Sequence, residues 1–239
     1  MKIEGKSVLI TGANRGIGAA LVRAFLKHGA GKVYAAARNL SSLPDFADAR
    51  VTGVQLDVTS LLEVHAAADS VGTVDILVNN AGIMTFAHVL SASAEDLAAD
   101  MDVNYYGTLR VTQAFAPRIE KQGGGAIVNI ISIAGLAPPN VISGYSASKA
   151  ALFSATQATR ITLKDRKIEV FGVFPGPIDT DLAKNLPLDK ATPDTAAENI
   201  VRGILAGQED IFPDPTSDQL SNLWKTNPKG LETFFANMG

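Results

Sequence analysis

Tyr145 and Lys149 stand four residues apart in Tyr145-Ser146-Ala147-Ser148-Lys149, a small-residue stretch that reads as the start of a helix. On a helix, positions i and i+4 share a face, with Cβ atoms roughly 5–6 Å apart. An ammonium held there favours the phenolate and is expected to lower the tyrosine pKa. An unperturbed phenol is too weak an acid to transfer protons readily near neutral pH, whereas a lowered one can serve. Upstream, the apolar run 126–131 delivers Ser132 to a strand end, where its hydroxyl can donate a hydrogen bond to the same substrate oxygen. The trio reads as a proton-transfer site for a carbonyl or an alcohol. A Tyr/Lys pair at this spacing also arises by chance on solvated helix faces, so a second site must give it meaning.

That second site lies near the N-terminus. Ser7-Val8-Leu9-Ile10-Thr11 is a short apolar run that ends in Gly12-Ala13-Asn14-Arg15-Gly16-Ile17-Gly18, and an amphipathic helix over 19–27 follows, stopped by Gly29. A strand, a glycine turn and a helix form the context in which a glycine motif binds a dinucleotide. Gly12 permits the tight turn, Gly16 lets the backbone approach a pyrophosphate, and Gly18 lets the helix pack on the strand, with the phosphate at the helix N-terminus. The second strand, 32–37, ends without an acidic residue to hold a ribose 2′-hydroxyl. Ala37 occupies that place, with Arg38 beside it and Arg15 inside the glycine turn. Two guanidinium groups and no carboxylate suit a 2′-phosphate, because Arg offers paired, charge-assisted donors to phosphate oxygens. The expected cofactor is therefore NADP(H).

The rest of the chain alternates in the same way. A third strand over 52–56 ends at Asp57-Val58, where a side chain could meet the adenine, and a helix over 59–71 starts from a Thr59 or Ser60 cap. A fourth strand from Val74 runs into Asn79-Asn80-Ala81-Gly82, whose small residues leave room for a ligand while the two Asn side chains can bridge neighbouring strand ends. Residues 93–118 carry two helical segments with 102–107 between them. Asn104 falls there amid apolar helical spacing, either to satisfy local backbone or to hold a water. After the Tyr145 helix, a sixth strand over 168–174 ends in Pro175-Gly176-Pro177-Ile178-Asp179-Thr180, where Thr180 offers a hydroxyl and backbone donors to a carboxamide. Thr192-Pro193-Asp194 caps a helix reaching Leu205. Residues 210–213 add a last short edge strand, and the tail is mostly helical. This β/α alternation, without a low-complexity linker, predicts an α/β fold: one doubly wound parallel sheet in a single domain over 1–239.

Composition narrows the partners. The 239 residues are 46% hydrophobic, enough to bury one large core, and a net charge of −3 argues against nucleic acid. There is no cysteine, so disulfide and thiolate chemistry are excluded. The three histidines, His28, His65 and His88, match no metal-ligand spacing, and no metal site is expected. No apolar run reaches membrane-spanning length, and the N-terminal residues lack a signal core. A cytoplasmic protein with no membrane partner is expected.

The motifs together, Thr11 to Gly18, Asn79 to Gly82, Asn104, Ser132, Tyr145 to Lys149 and Pro175-Gly176, resemble the short-chain dehydrogenase/reductase family over essentially residues 6–205. The resemblance implies a Rossmann-like sheet of order 3-2-1-4-5-6-7 with helices on both faces, and a catalytic tetrad of Asn104, Ser132, Tyr145 and Lys149. It implies hydride transfer between a nicotinamide and a ketone or secondary alcohol. Tyr145 would pass the proton, Ser132 would hydrogen-bond the oxygen, Lys149 would hold the nicotinamide ribose, and Asn104 would position a water. Cofactor contacts are expected from Gly12, Asn14, Arg15, Gly16, Ile17, Gly18, Arg38, Asp57, Val58, Asn79, Ala81, Gly82, Tyr145, Lys149, Pro175, Gly176, Ile178 and Thr180. Met84, Phe86, Ile133, Val141, Pro177 and Leu182 are candidate pocket walls.

Two departures stand out. The lid segment, about 180–193, is short, which suggests an open cleft for bulky or varied ketones. The tail, about 214–239, lacks the family's glycine-rich final strand, which favours a homodimer through the Asn104 and Tyr145 helices over a tetramer. A non-catalytic NADP(H)-sensing protein is the alternative function, although the intact tetrad speaks against it. A sugar-nucleotide epimerase or dehydratase shares the Tyr-x-x-x-Lys pair but needs a longer chain.

Overall fold

The computed structural model describes residues 1–184 and 188–237. The chain runs β1 (Ser7–Thr11), α1 (Gly16–Lys27), β2 (Lys32–Ala37), β3 (Val51–Gln55), α2 (Leu61–Ser70), β4 (Ile76–Asn79), α3 (Ala94–Met101), a π-helical turn (Asp102–Gly107), α4 (Thr108–Lys121), β5 (Gly125–Ile130), α5 (Ser143–Leu163), β6 (Ile168–Val173), α6 (Pro193–Leu205), β7 (Asp210–Ile211), α7 (Pro215–Thr226) and α8 (Pro228–Ala236). The seven strands form one parallel sheet in the order β3-β2-β1-β4-β5-β6-β7. This is the sheet the sequence predicts, and the order reverses between β1 and β4. In open α/β sheets that reversal opens a crevice beyond the strand ends.

The strands are apolar on both faces because both are covered. Val8 and Ile10 point to one side, where they pack with Leu21 and Phe25 of α1 and Ile200 and Ile204 of α6. Leu9 points to the other, against Val64 of α2 and Val111, Phe115 and Ile119 of α4. A third cluster lies at the carboxyl end of the sheet, where Phe174 and Ile131 meet Leu220 of α7 and Leu231 and Phe235 of α8. Helix starts follow local chemistry. Ser60, Ser93, Thr192 and Asp214 each accept a hydrogen bond from the first turn of α2, α3, α6 and α7, and α6, α7 and α8 each carry proline in the first turn.

The sequence-based boundaries shift by one or two residues: β3 lies at Val51–Gln55, α2 begins at Leu61 and α5 at Ser143. α1 begins earlier, at Gly16, which enters the helix from a left-handed turn (φ +54°) that glycine adopts freely. Across the sheet interior, the Asn79 side chain donates to Thr112 (3.1 Å) and Asn129 (2.9 Å), and Asn129 donates to Thr156 (3.0 Å). This buried polar chain ties β4 and β5 to α4 and α5. Slipping either strand by one residue would bury its members unpaired.

Candidate active site

Beyond the carboxyl ends of the strands lies a cleft of about 1040 Å³. Its first half is built by the glycine turn. Asn80 Nδ2 donates to the Thr11 and Gly12 carbonyls (2.9 and 3.1 Å), and Thr11 Oγ1 accepts from the Asn80 and Ala81 amides (both 3.0 Å), which locks the ends of β1 and β4 together. Gly18 is obligatory for contact rather than for torsion. A Cβ there would stand 2.2 Å from the Gly12 carbonyl oxygen and 2.6 Å from Asn80 Nδ2. The first turn of α1 has neither a side-chain cap nor an acidic residue. Its free amides therefore face the cleft as an anion site. Arg38 is exposed at the rim, next to Asn39 and Ser42. Arg15 reaches across the mouth to Asp181 at 3.0 Å, with both side chains largely exposed. Uncapped amides, two guanidiniums and the close approach at Gly18 fit a dinucleotide that bears an extra phosphate.

The second half carries the proton-transfer trio. Ser132, at the end of β5, is almost buried. Its Oγ accepts from the Ala134 amide (3.1 Å) and lies 3.4 Å from the Pro175 carbonyl. Gly135 lets this turn press on α5, because a Cβ there would be 2.8 Å from the Lys149 carbonyl carbon. Tyr145 packs against Ala134 and Ile142, with Met84 alongside. Lys149 Nζ donates to the Ile130 carbonyl (2.8 Å) and sits 5.6 Å from the Tyr145 ring centre. Gly82 leaves that amine uncovered, since a Cβ at 82 would lie 3.6 Å from Nζ.

The electrostatics differ from the sequence-based expectation that Lys149 lowers the Tyr145 pKa. Burial pushes Tyr145 up to about 12; the adjacent Ser132 hydroxyl offsets part of this, and the negative charge of Asp100 adds to it. Burial likewise lowers Lys149 to about 8, against a smaller opposing pull from Asp100. An amine that loses its own charge on burial cannot stabilise a phenolate in the alkaline range where the phenol ionises. The protein's own groups therefore hold Tyr145 as a neutral donor.

Seventeen of the eighteen expected cofactor residues line this one cleft; the exception is Asn79, whose amide is committed inside the sheet. Ser132, Tyr145 and Lys149 line it too. Asn104 does not: it is fully buried in the π-helical turn, where Oδ1 accepts from the Ile83 amide and Nδ2 donates to the Ile83 carbonyl and to Ser148 Oγ, each at 2.9 Å. Of its two sequence-based options, satisfying local backbone is the one observed. The six candidate walls, Met84, Phe86, Ile133, Val141, Pro177 and Leu182, all line the cleft. The lid expected over 180–193 includes 185–187, which lie outside the described residues; on its described part, Ile178 bridges Ala191 and Thr180 stands against Gly16.

Sequence reading missed the walls from the C-terminal helices, Thr216, Leu220, Phe234 and Phe235, because nothing in their local pattern marks them as facing a ligand. It also missed Asp214. This buried carboxylate accepts from the Ser217 amide (3.0 Å) and the Gly176 amide (2.8 Å), so that one side chain caps α7 and holds the Pro175-Gly176 floor. Asp214→Ala is expected to cost about 2–3 kcal/mol of stability, read from denaturant unfolding. No loss beyond a few tenths would show the contacts to be dispensable. Among the described residues there is no cluster of His, Asp and Glu that could hold a metal, and no helix is long and apolar enough to cross a membrane.

A reversed parallel sheet, a glycine turn at its crevice and a Ser/Tyr/Lys trio in the same cleft define a class, and the chain belongs to it: residues 6–191 match the short chain dehydrogenase family, and this is an oxidoreductase of the short-chain dehydrogenase/reductase type. It is 36% identical over 220 residues to a 3-oxoacyl-[acyl-carrier-protein] reductase of Thermotoga maritima, a match spanning 88% of this chain and 89% of that one. A galactitol 2-dehydrogenase of Agrobacterium fabrum is 36% identical over 187 residues, 75% of this chain and 73% of the relative. Among solved structures, a short chain dehydrogenase from Burkholderia cenocepacia in complex with NADP superposes with a TM-score of 0.93 at 34% identity, covering 98% of this chain and 99% of that one.

Proposed function

We propose that the protein is an NADP(H)-dependent carbonyl reductase or alcohol dehydrogenase acting on a ketone/secondary alcohol pair. The observation that carries this reading is the opening of the Ser132, Tyr145 and Lys149 side chains into the cleft that also holds the glycine turn and Arg38. The NADP-bound relative from Burkholderia cenocepacia supports the choice of cofactor. Gly12, Asn14, Arg15, Gly16, Ile17, Gly18 and Arg38 would hold the phosphate-bearing half, and Asp57 and Val58 would flank the base. Ala81, Gly82, Pro175, Gly176, Ile178 and Thr180 would enclose the nicotinamide, which supplies or accepts the hydride.

In reduction, Tyr145 gives its proton to the substrate oxygen as negative charge develops there, and Ser132 donates a hydrogen bond to that oxygen. The raised Tyr145 pKa keeps the donor protonated at neutral pH. Lys149 holds the ribose hydroxyls and replaces the proton. Asn104 fixes Ile83 against Ser148; both its amide hydrogens are committed, so a water held there is held through an oxygen. Apolar walls at Met84, Phe86, Val141 and Leu182 favour a bulky ketone. A cytoplasmic homodimer through α4 and α5, as a single domain over 1–239, completes the proposal.

The test is a panel of small aliphatic, aryl-alkyl and bulky ketones, each with NADPH and with NADH, followed by loss of reduced-nicotinamide absorbance. NADPH-dependent turnover supports the reading. Cofactor binding without turnover of any carbonyl or alcohol would favour a sensing role. Arg38→Asp is expected to lower kcat/KM with NADPH about 10²-fold while sparing NADH, since charge-assisted hydrogen bonds of this strength are at stake. An equal loss with both cofactors would remove Arg38 from the phosphate site.

A further inference from the structure

One buried ionisable group near the trio is not used by the reaction as set out above. Asp100, in the last turn of α3, is 0% exposed. Its carboxylate accepts from the Thr85 amide (Oδ1, 3.1 Å) and the Thr85 hydroxyl (Oδ2, 2.5 Å). Thr85 sits between Met84 and Phe86, both of which line the cleft, so the carboxylate tethers a cleft wall to α3. On its other side Asp100 meets α5 immediately before Tyr145. A Cβ on Gly144 would be 3.0 Å from Oδ2, so glycine lets the helix start come this close without displacing the carboxylate, and the Gly144 amide faces the Ala87 carbonyl at 3.5 Å.

Both partners of the carboxylate are neutral groups on one residue; an amide side chain could accept from the Thr85 amide through its oxygen and donate to the Thr85 hydroxyl through its nitrogen, at a lower desolvation cost. A full negative charge, by contrast, acts across the space to α5. We propose that Asp100 is a positioning residue of this active site: it anchors the Thr85 wall and, as a buried anion behind Gly144, sets the charge balance of the Tyr145–Lys149 pair. The proposal rests on the carbonyl-reductase reading above.

The neighbouring charges fix the direction of the effect. Burial holds the Asp100 carboxyl above the ordinary carboxylate range; the Thr85 hydrogen bonds and the Lys149 charge oppose this, and Asp96 on its own helix adds a little to it. From α5, Lys149 is the facing cation and Tyr145 the facing acid. From the π-helical turn, Asp102 is occupied by Arg110 at 2.7 Å. From the 83–87 segment no ionisable side chain contributes. An anion here raises the pKa of both Lys149 and Tyr145. Removing the charge must therefore move both titrations downward, and the phenolate needed for alcohol oxidation forms at lower pH.

The experiment compares the pH dependence of kcat/KM for NADP⁺-driven oxidation of the best alcohol from the panel in the wild type, Asp100→Asn and Thr85→Ala. Asp100→Asn is expected to move the rising limb down by about half a pH unit or more. Thr85→Ala, which keeps the amide donor to Asp100 but removes the hydroxyl that favours its ionisation, is expected to lower kcat/KM and to move the limb by less than Asp100→Asn does. Asp100→Ser is a second charge-free variant should the amide fail to fold. A limb that stays in place in every folded charge-free variant overturns the proposal and leaves the carbonyl-reductase reading intact. Wild-type protein that turns over no alcohol or ketone overturns both.

Discussion

Replacing Tyr145 by Phe is expected to lower kcat for ketone reduction by about 10²–10⁴-fold while NADPH affinity stays within about twofold. The substitution removes one hydroxyl and leaves the ring, which is 8% exposed and packed among Ala134, Ile142 and Met84. Lys149 keeps its hydrogen bond to the Ile130 carbonyl, so the amine remains in place. The donor is then lost with little change in shape. Steady-state rates, fluorescence titration of NADPH and a thermal melt together check the expectation. Equal losses of binding and turnover, or a large fall in Tm, would make Tyr145 a structural residue.

A different large effect is expected at Gly18. An added methyl would sit 2.2 Å from the Gly12 carbonyl oxygen and 2.9 Å from its carbon. Neither is the end of a flexible side chain, so β1 and α1 must separate. Gly18→Ala is expected to cost about 3 kcal/mol or more and to weaken NADPH binding beyond about 100-fold, because the free amides of α1 lose their aim. Gly123→Ala is the control. That residue has φ +104° with nothing within 4 Å of the added carbon, so it carries only the torsional cost of a non-glycine residue. Its melting temperature falls modestly and its NADPH affinity does not change. If Gly18→Ala behaves like Gly123→Ala, the tight contact at the turn is not needed for binding.

These two sites also show what a sequence can and cannot disclose. The glycine turn is legible because backbone contact admits few residue types; the sheet order comes from the family resemblance rather than from the strand pattern itself. β1 and β2 appear in the structure at the boundaries their apolar runs predict. The trio is legible because its spacing is helical and its serine closes a strand. The sign of the Tyr145 shift is not legible, since it depends first on how fully Tyr145 itself is buried, and residue spacing carries no measure of burial. Asp100 is hidden for a related reason: in sequence it is one of three acidic residues on a short helix, and only packing separates it from exposed Asp96. Asn79 and Asn104 read as ligand residues yet lie behind the cleft surface, where their amides organise strands and loops that do reach it.

The helical pair at the end of the chain has an evolutionary consequence. Its residues Thr216, Leu220, Phe234 and Phe235 border a cleft whose opposite border comes from β1, β2 and β4 and the loops that follow them. Two segments far apart in the sequence thus line a single chamber. Drift or recombination confined to codons 215–236 can recontour one bank while the nucleotide-facing bank stays fixed. Selection for new substrates therefore has a segment to work on that lies apart from the glycine turn and Arg38, although its first turn touches the Gly176 floor. Grafting the corresponding segment from a relative offers a direct route to altered specificity.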